Sequence, residues 1–178
     1  HDGFKLREAK TSTGWVDAQT VLVGTDFGPG SMTSSGYARQ VKLWTRGTPI
    51  ASAELVLEIP TTDMGLFAFT YDVDGRKYFR VSHQKNFYES TEYLFEKGKL
   101  IKIDVPIDAD TYLLRHHLLV FVRTPWDVGG RKWNTGALIA TPVDDFLAGK
   151  KEFRLVTEPG PRESINGVSV TRDFVLVN

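Results

Sequence analysis

A strand-and-turn outline that returns every 45 to 53 residues is the feature that most limits what this chain can fold into. Runs of Val, Leu, Ile, Phe and Tyr alternate with clusters of Gly, Asp, Asn, Pro and Ser, the pattern of β-strands joined by turns. Residues 15–23, 113–122 and 170–177 share one outline: a short segment, a turn, then a strongly apolar strand. Residues 72–81 are a looser fourth example. Where the chain continues, an alternating strand follows (40–45, 92–96) and then a charged, half-apolar one (54–59, 99–104, 152–157). Leu55, Leu100 and Phe153 mark equivalent points of the repeat. Four strands at this period match a propeller blade, whose repeats run to about 40–50 residues.

The order of polarity within each unit supports blades. A blade has neighbours on both faces, so its middle strand reads apolar on both sides, whereas its outermost strand carries charge that blunts an edge. The expected fold is therefore all-β, a partial β-propeller in a single domain spanning 1–178. It holds three four-stranded antiparallel blades at about 12–59, 61–105 and 108–157. Incomplete blades lie at both ends, a tail at 3–6 and two strands at 164–178, which makes roughly half a ring. A β-sandwich is the competing architecture. Asp74-Gly75, Asn166-Gly167 and Gly129-Gly130 are read as turns, because Asx-Gly and Gly-Gly steps supply positive φ. One helical segment is expected at 141–149, with Thr141 as cap, Pro142 at the first helical position, acids in the first turn and Gly149 at the end.

Composition narrows the function. With 178 residues and 41% hydrophobic content the chain can bury a core. Its 22 basic and 22 acidic residues cancel, so neither nucleic acid nor an anionic membrane is expected as a partner. The absence of Cys removes disulfides, Cys-ligated metal and a thiol nucleophile, and leaves the compartment open. No apolar run approaches the roughly 20 residues that cross a bilayer. The sequence opens at His1 with neither Met nor a signal peptide and closes on the apolar run 174–177. A segment of a longer protein is the expectation.

No catalytic residue emerges, and no cofactor or metal is expected. Gly167-Val168-Ser169-Val170-Thr171 misses the G-x-S-x-G nucleophile turn at its last position and lies in a β pattern, so Ser169 reads as a strand serine. His116-His117, as neighbours on a strand, point to opposite faces and cannot both reach one ion, and a turn there would need further ligands that the surroundings do not offer. Asp72-Val73-Asp74-Gly75 begins like a calcium loop but lacks the later acid, and a hairpin accounts for it. Asp26-Phe27-Gly28 is a three-letter coincidence with a kinase triplet.

The connection 24–39 is harder to set aside, because it is far longer than a hairpin needs. It carries Asp26, Phe27, Tyr37, Arg39 and several glycines. Such a loop either fixes itself to its own blade or contacts a partner domain or substrate. Asp26, Tyr37 and Arg39 are the candidate contact residues, the arginine suited to a peptide carboxylate.

The stretch Gly24-Thr25-Asp26-Phe27-Gly28-Pro29-Gly30-Ser31, with Trp15-Val16-Asp17 before it and Val41-Lys42-Leu43-Trp44 after it, resembles the propeller domain of bacterial prolyl-oligopeptidase-family serine peptidases. Trp126-Asp127-Val128-Gly129-Gly130, Gly136-Ala137-Leu138 and Asp145-Phe146-Leu147-Ala148-Gly149 extend the resemblance over most of the chain. It implies a seven-bladed propeller capping an α/β-hydrolase domain, admitting short peptides to a Ser, Asp and His that cut after proline or related residues. None of those three maps onto this chain. The expected role is a non-catalytic segment of a peptidase, its partners being the hydrolase domain of the same parent chain and a short peptide. A stand-alone propeller or sandwich that binds a protein is the alternative, and a β-rich hydrolase using carboxylate pairs is a remote third. Open blade edges also predict self-association. Sedimentation at rising concentration tests this, and a well-behaved monomer would show instead that the ends close on themselves.

Overall fold

The computed structural model describes residues 3–178; His1 and Asp2, where the sequence opens without Met, lie outside the described residues. Strand accounts for about 47% of the chain and helix for 5%, so the all-β expectation holds. β1 (Ser12–Trp15), β2 (Thr20–Gly24), β3 (Gln40–Thr45) and β4 (Glu54–Glu58) form one antiparallel meander. β5 (Gly65–Val73), β6 (Arg76–Gln84), β7 (Ser90–Glu96) and β8 (Lys99–Lys102) form a second. β9 (Asp110–Leu114) and β10 (His117–Phe121) begin a third, interrupted by a hairpin of β11 (Trp126–Val128) and β12 (Arg131–Trp133). β13 (Leu138–Pro142), the short helix α1 (Val143–Leu147) and β14 (Arg154–Thr157) complete it, and β15 (Val168–Val170) pairs with β16 (Val175–Val177).

Burial follows the polarity read from the sequence. After their first residue, β2 and β10 are buried at every position, while β4, β8 and β14 have no buried residue. A second strand covered on both faces needs continuous apolar sequence, and a fourth strand open at its edge needs charge.

The chain divides into two compact units, one ending at Ile103 and the other running from Asp104 to Asn178. In the first, the two meanders stack face to face, with Leu22 and Val41 packed against Leu66, Ala68, Val81 and Phe95. Each fully buried aliphatic side chain there stabilises the fold by about 1.5–3 kcal/mol relative to exposure. The backbones approach most closely where β1 meets β5. The Ser12 hydroxyl accepts the Ala68 N–H at 3.0 Å, and the Thr70 hydroxyl donates to the Trp15 carbonyl at 3.0 Å. Gly14 is required between them, since a Cβ at that position would stand 2.9 Å from the Phe69 carbonyl oxygen. Farther out the gap is filled by Tyr93, Phe95, Leu57 and Leu100, so side-chain size rises from the first strands towards the fourth. On the other face of β2, Val21 and Val23 pack with Trp44, Phe4, Phe27 and Ile50. At the β1–β2 turn, hydrogen bonds from Thr20 and from the Gln19 N–H hold the Asp17 carboxyl below its ordinary pKa.

In the second unit, Leu119, Phe121 and Leu138 bury one face of the third meander against Val168 and Val175 of the β15–β16 hairpin. First strand again approaches first strand, β9 to β15. Phe174 and Leu176 of the hairpin stay exposed.

Three local expectations are corrected and one turn gains a hairpin of its own. Residues 3–6 form no strand; the Phe4 ring instead meets the edges of Trp15 and Trp44, at centroid distances of 5.4 and 4.7 Å. Asn166-Gly167 is not a tight turn, because both N–H groups point to the Asn178 carbonyl and extend the β15–β16 ladder, whose turn closes from Thr171 N–H to Phe174 O. Gly129-Gly130, with φ of 63° and 71°, is the two-residue turn of the inserted β11–β12 hairpin. The helix starts at Val143, so Pro142 rather than Thr141 occupies the cap position. Thr141 lies buried on β13 with its hydroxyl unpartnered. The Asp74-Gly75 turn is as read, at φ of 50° and 81°.

Substituting Gly14→Ala pushes a methyl into the β5 backbone and is expected to lower stability by about 1–3 kcal/mol. The readout is a lower urea midpoint with an unchanged slope; an unshifted midpoint would show that the sheets have slack at this point.

Candidate functional site

The connection between β2 and β3 folds on itself as a small hairpin. Met32 bridges Ala38, the Thr33 N–H donates to Tyr37 O at 2.8 Å, and the Arg39 N–H donates to Ser31 O at 2.9 Å. Gly28, Gly30 and Gly36 have φ of 112°, 81° and 72°, which a side chain would oppose. At the base, Asp26 Oδ1 accepts the Gly28 N–H at 2.8 Å, and the Ser31 hydroxyl accepts the Phe27 N–H at 2.8 Å. This is an Asx turn, and it spends the carboxylate on the loop itself.

The tip of the hairpin is fastened to the second meander. The Ser34 N–H donates to Thr61 O at 2.8 Å, the Thr33 hydroxyl to Met64 O at 2.8 Å, and the Leu66 N–H to Ala38 O at 2.8 Å. Asp63 in the same connection meets His83 Nε2 at 2.7 Å. Tyr37 lies edge-on to Phe67 at 5.4 Å, and its Cβ stands where Gly65 would otherwise carry one, 2.5 Å away.

Arg39 is committed inward. Its Nε donates to Ile59 O at 2.6 Å, Nη1 donates to Gly30 O at 2.7 Å, and Nη2 pairs with the Glu58 carboxylate. One planar guanidinium thus ties the loop to the far end of the same meander.

The three candidates do not converge on one site. Asp26 lines a cleft with Lys5, Arg7, Phe27 and Ile50. Tyr37 lines a separate pocket of about 160 Å³ with Lys10, Ser12, Gly24, Leu66 and Phe67. Arg39 faces its own sheet. Lys10, whose Nζ sits 4.1 Å from the Tyr37 ring centre, and Gly65 escaped the sequence reading; both are far from Tyr37 in sequence, and no local motif marks either one. The dismissed motifs sit as expected: Ser169 is exposed on β15, His117 opens β10 with His116 in the preceding turn, and the Gly75 N–H donates to Asp72 Oδ1 within the hairpin.

No protein-family model matches the chain. An uncharacterized peptidase of Rickettsia prowazekii (strain Madrid E) is 26% identical over 97% of this chain and 26% of its own length. An uncharacterized peptidase of Sinorhizobium fredii (strain NBRC 101917 / NGR234) is 25% identical over 99% of this chain and 26% of its own length. Among solved structures, a post-proline cleaving enzyme from Rickettsia typhi matches with a TM-score of 0.80 and 23% identity, over 94% of this chain and 26% of that one. The chain therefore spans about a quarter of the length of the proteins it matches. The resemblance to peptidases drawn from the 24–31 stretch and its flanks is borne out by these names.

Removing the guanidinium takes a donor from two carbonyls and leaves Glu58 with the Gln40 amide at 3.2 Å. Arg39→Ala is expected to reduce unfolding free energy by about 1–2 kcal/mol, with faster hydrogen exchange at the Ile59 amide, which donates to Arg39 O. Arg39→Lys should recover only part of the loss, because one ammonium cannot span three acceptors. Full recovery in urea titration would reduce the contact to simple charge.

Proposed function

We propose that the chain is a non-catalytic β-propeller segment of a larger prolyl-oligopeptidase-like serine peptidase, restricting access of short peptides to a hydrolase domain that this sequence does not contain. The observation that carries the reading is coverage: two proteins named as peptidases match essentially the whole chain, and it occupies only 26% of each. The stacking of consecutive meanders, first strand on first strand within each unit, supports blades of a propeller. The chain's contribution to catalysis is exclusion of folded proteins and positioning of the peptide, which lowers the entropic cost of reaching the nucleophile. Its neutral balance of charge suits selection by size.

One observation favours the alternative of a protein-binding module. Phe87 and Tyr88 are 83% and 86% exposed on a turn that Asn86 holds by accepting the Tyr88 and Glu89 N–H groups. Rigidly presented aromatics are common anchors of protein interfaces.

The 178-residue chain alone is expected to show no turnover of a chromogenic prolyl peptide, while the product of the whole reading frame cleaves that peptide and spares the same sequence inside a folded protein. Turnover by the chain itself, a reading frame lacking G-x-S-x-G, or equal cleavage of both substrates overturns the proposal.

A further inference from the structure

The pocket between the start of β1, the start of β5 and the tip of the 24–39 loop combines an aromatic side with a basic group. Phe67 and the Tyr37 ring supply its apolar side, while Lys10, Thr11 and Ser12 line it with polar groups; Leu66, 1% exposed, turns its side chain into the core. No acid lines it. The Lys10 side chain is exposed, and among the described residues no carboxylate pairs with it; its contact is the Tyr37 ring face. Arg39, the cation that the sequence singles out for a carboxylate, already serves Glu58 and two carbonyls. The floor is kept shallow by packing, since a Cβ on Gly24 would sit 3.2 Å from both Ala38 Cβ and Ser12 Oγ.

We infer that this pocket holds the C-terminal residue of a short peptide, with Lys10 pairing its carboxylate and Tyr37 and Phe67 receiving its side chain; the inference rests on the peptidase reading above. Size decides between a whole ligand and an end. At about 160 Å³ the pocket is below the roughly 300–1,000 Å³ that encloses a complete small ligand, and it admits one residue. Charge decides which end, because the Lys10 ammonium repels a peptide N-terminus and attracts a carboxylate. The apolar wall separates a peptide from a bare anion, for which it offers nothing. Tyr37 acts through both groups at once, as a wall for the side chain and as the ring that holds the Lys10 ammonium in place.

The test is an NMR titration of the ¹⁵N-labelled chain with Gly-Pro-Ala as free acid, the same peptide as its C-terminal amide, and inorganic phosphate. The acid should shift the amide resonances of Thr11, Ser12, Tyr37 and Ala38, and the amide form should bind about two- to fivefold more weakly, the range of an exposed ion pair. Lys10→Gln should lower the acid to the level of the amide without changing the melting temperature. Equal binding of acid and amide, shifts elsewhere or none, phosphate as effective as the acid, or an unaffected Lys10→Gln chain each overturns the inference. The two readings fail separately: a complete protein that cleaves acid and amide peptides equally well leaves the peptidase reading standing and removes this pocket's role.

Discussion

The contact on which the rest of the first unit depends is the one that quiets the free edge of β5. An edge strand presents unpaired N–H groups that invite foreign strands, and β5 disposes of two successive ones within the chain. The Leu66 N–H goes to the Ala38 carbonyl of the long loop, and the Ala68 N–H goes to the Ser12 hydroxyl of β1. Thr70 answers in the other direction by donating to the Trp15 carbonyl. These are side-chain and loop contacts rather than a ladder, so the two meanders stay separate sheets while their first strands are locked. Leu22, Val41, Val81 and Phe95 then fill the space that this lock defines.

The same arrangement explains the division of labour among the charged residues of the long loop. Arg39 is the residue with the strongest sequence signal for ligand binding, yet the fold uses it as a strut between Gly30, Ile59 and Glu58. Asp26 closes an Asx turn with Gly28. Among what remains available is Lys10, a residue from the irregular segment before β1 that meets the loop at the Tyr37 ring. Groups with several hydrogen-bonding positions are consumed by structure in a loop this long, where many backbone acceptors lack ladder partners. Ammonium groups beside aromatic faces are left over, Lys10 at Tyr37 and Lys42 at Phe27.

Legibility from sequence followed the range of the interaction. β2 and β10 could be read because burial on both faces forces unbroken apolar runs, and the fourth strands because exposure forces charge. The Asp74-Gly75 turn could be read because positive φ at two adjacent residues restricts residue type. The three-residue strands β11 and β12 could not, since runs so short carry no period, so the Gly129-Gly130 turn is legible while the strands it joins are not. Asn166-Gly167 misled for a related reason: its turn-like dipeptide is straightened by the Asn178 carbonyl. At the site, Asp26, Tyr37 and Arg39 are visible as unusual residues in an overlong loop, but Gly65 and Lys10 lie 28 and 27 residues from Tyr37 and Glu58 lies 19 from Arg39. Pairings made by tertiary folding leave no trace in local spacing.

The rise in side-chain size from Gly14 and Ala68 to Tyr93 and Phe95 acts as a mechanical wedge. Two sheets touching at one margin and spaced by large rings towards the other must open like a book, and the thickness of the outer residues fixes the opening angle. Changing Phe95 or Leu57 to a smaller residue would narrow that angle while leaving the hydrogen bonds at the spine in place. The spine sets where consecutive sheets meet, and the outer residues set how far each turns from the last. The curvature of any array built from this repeat is thus adjustable from its periphery, without a change to the residues that hold it together.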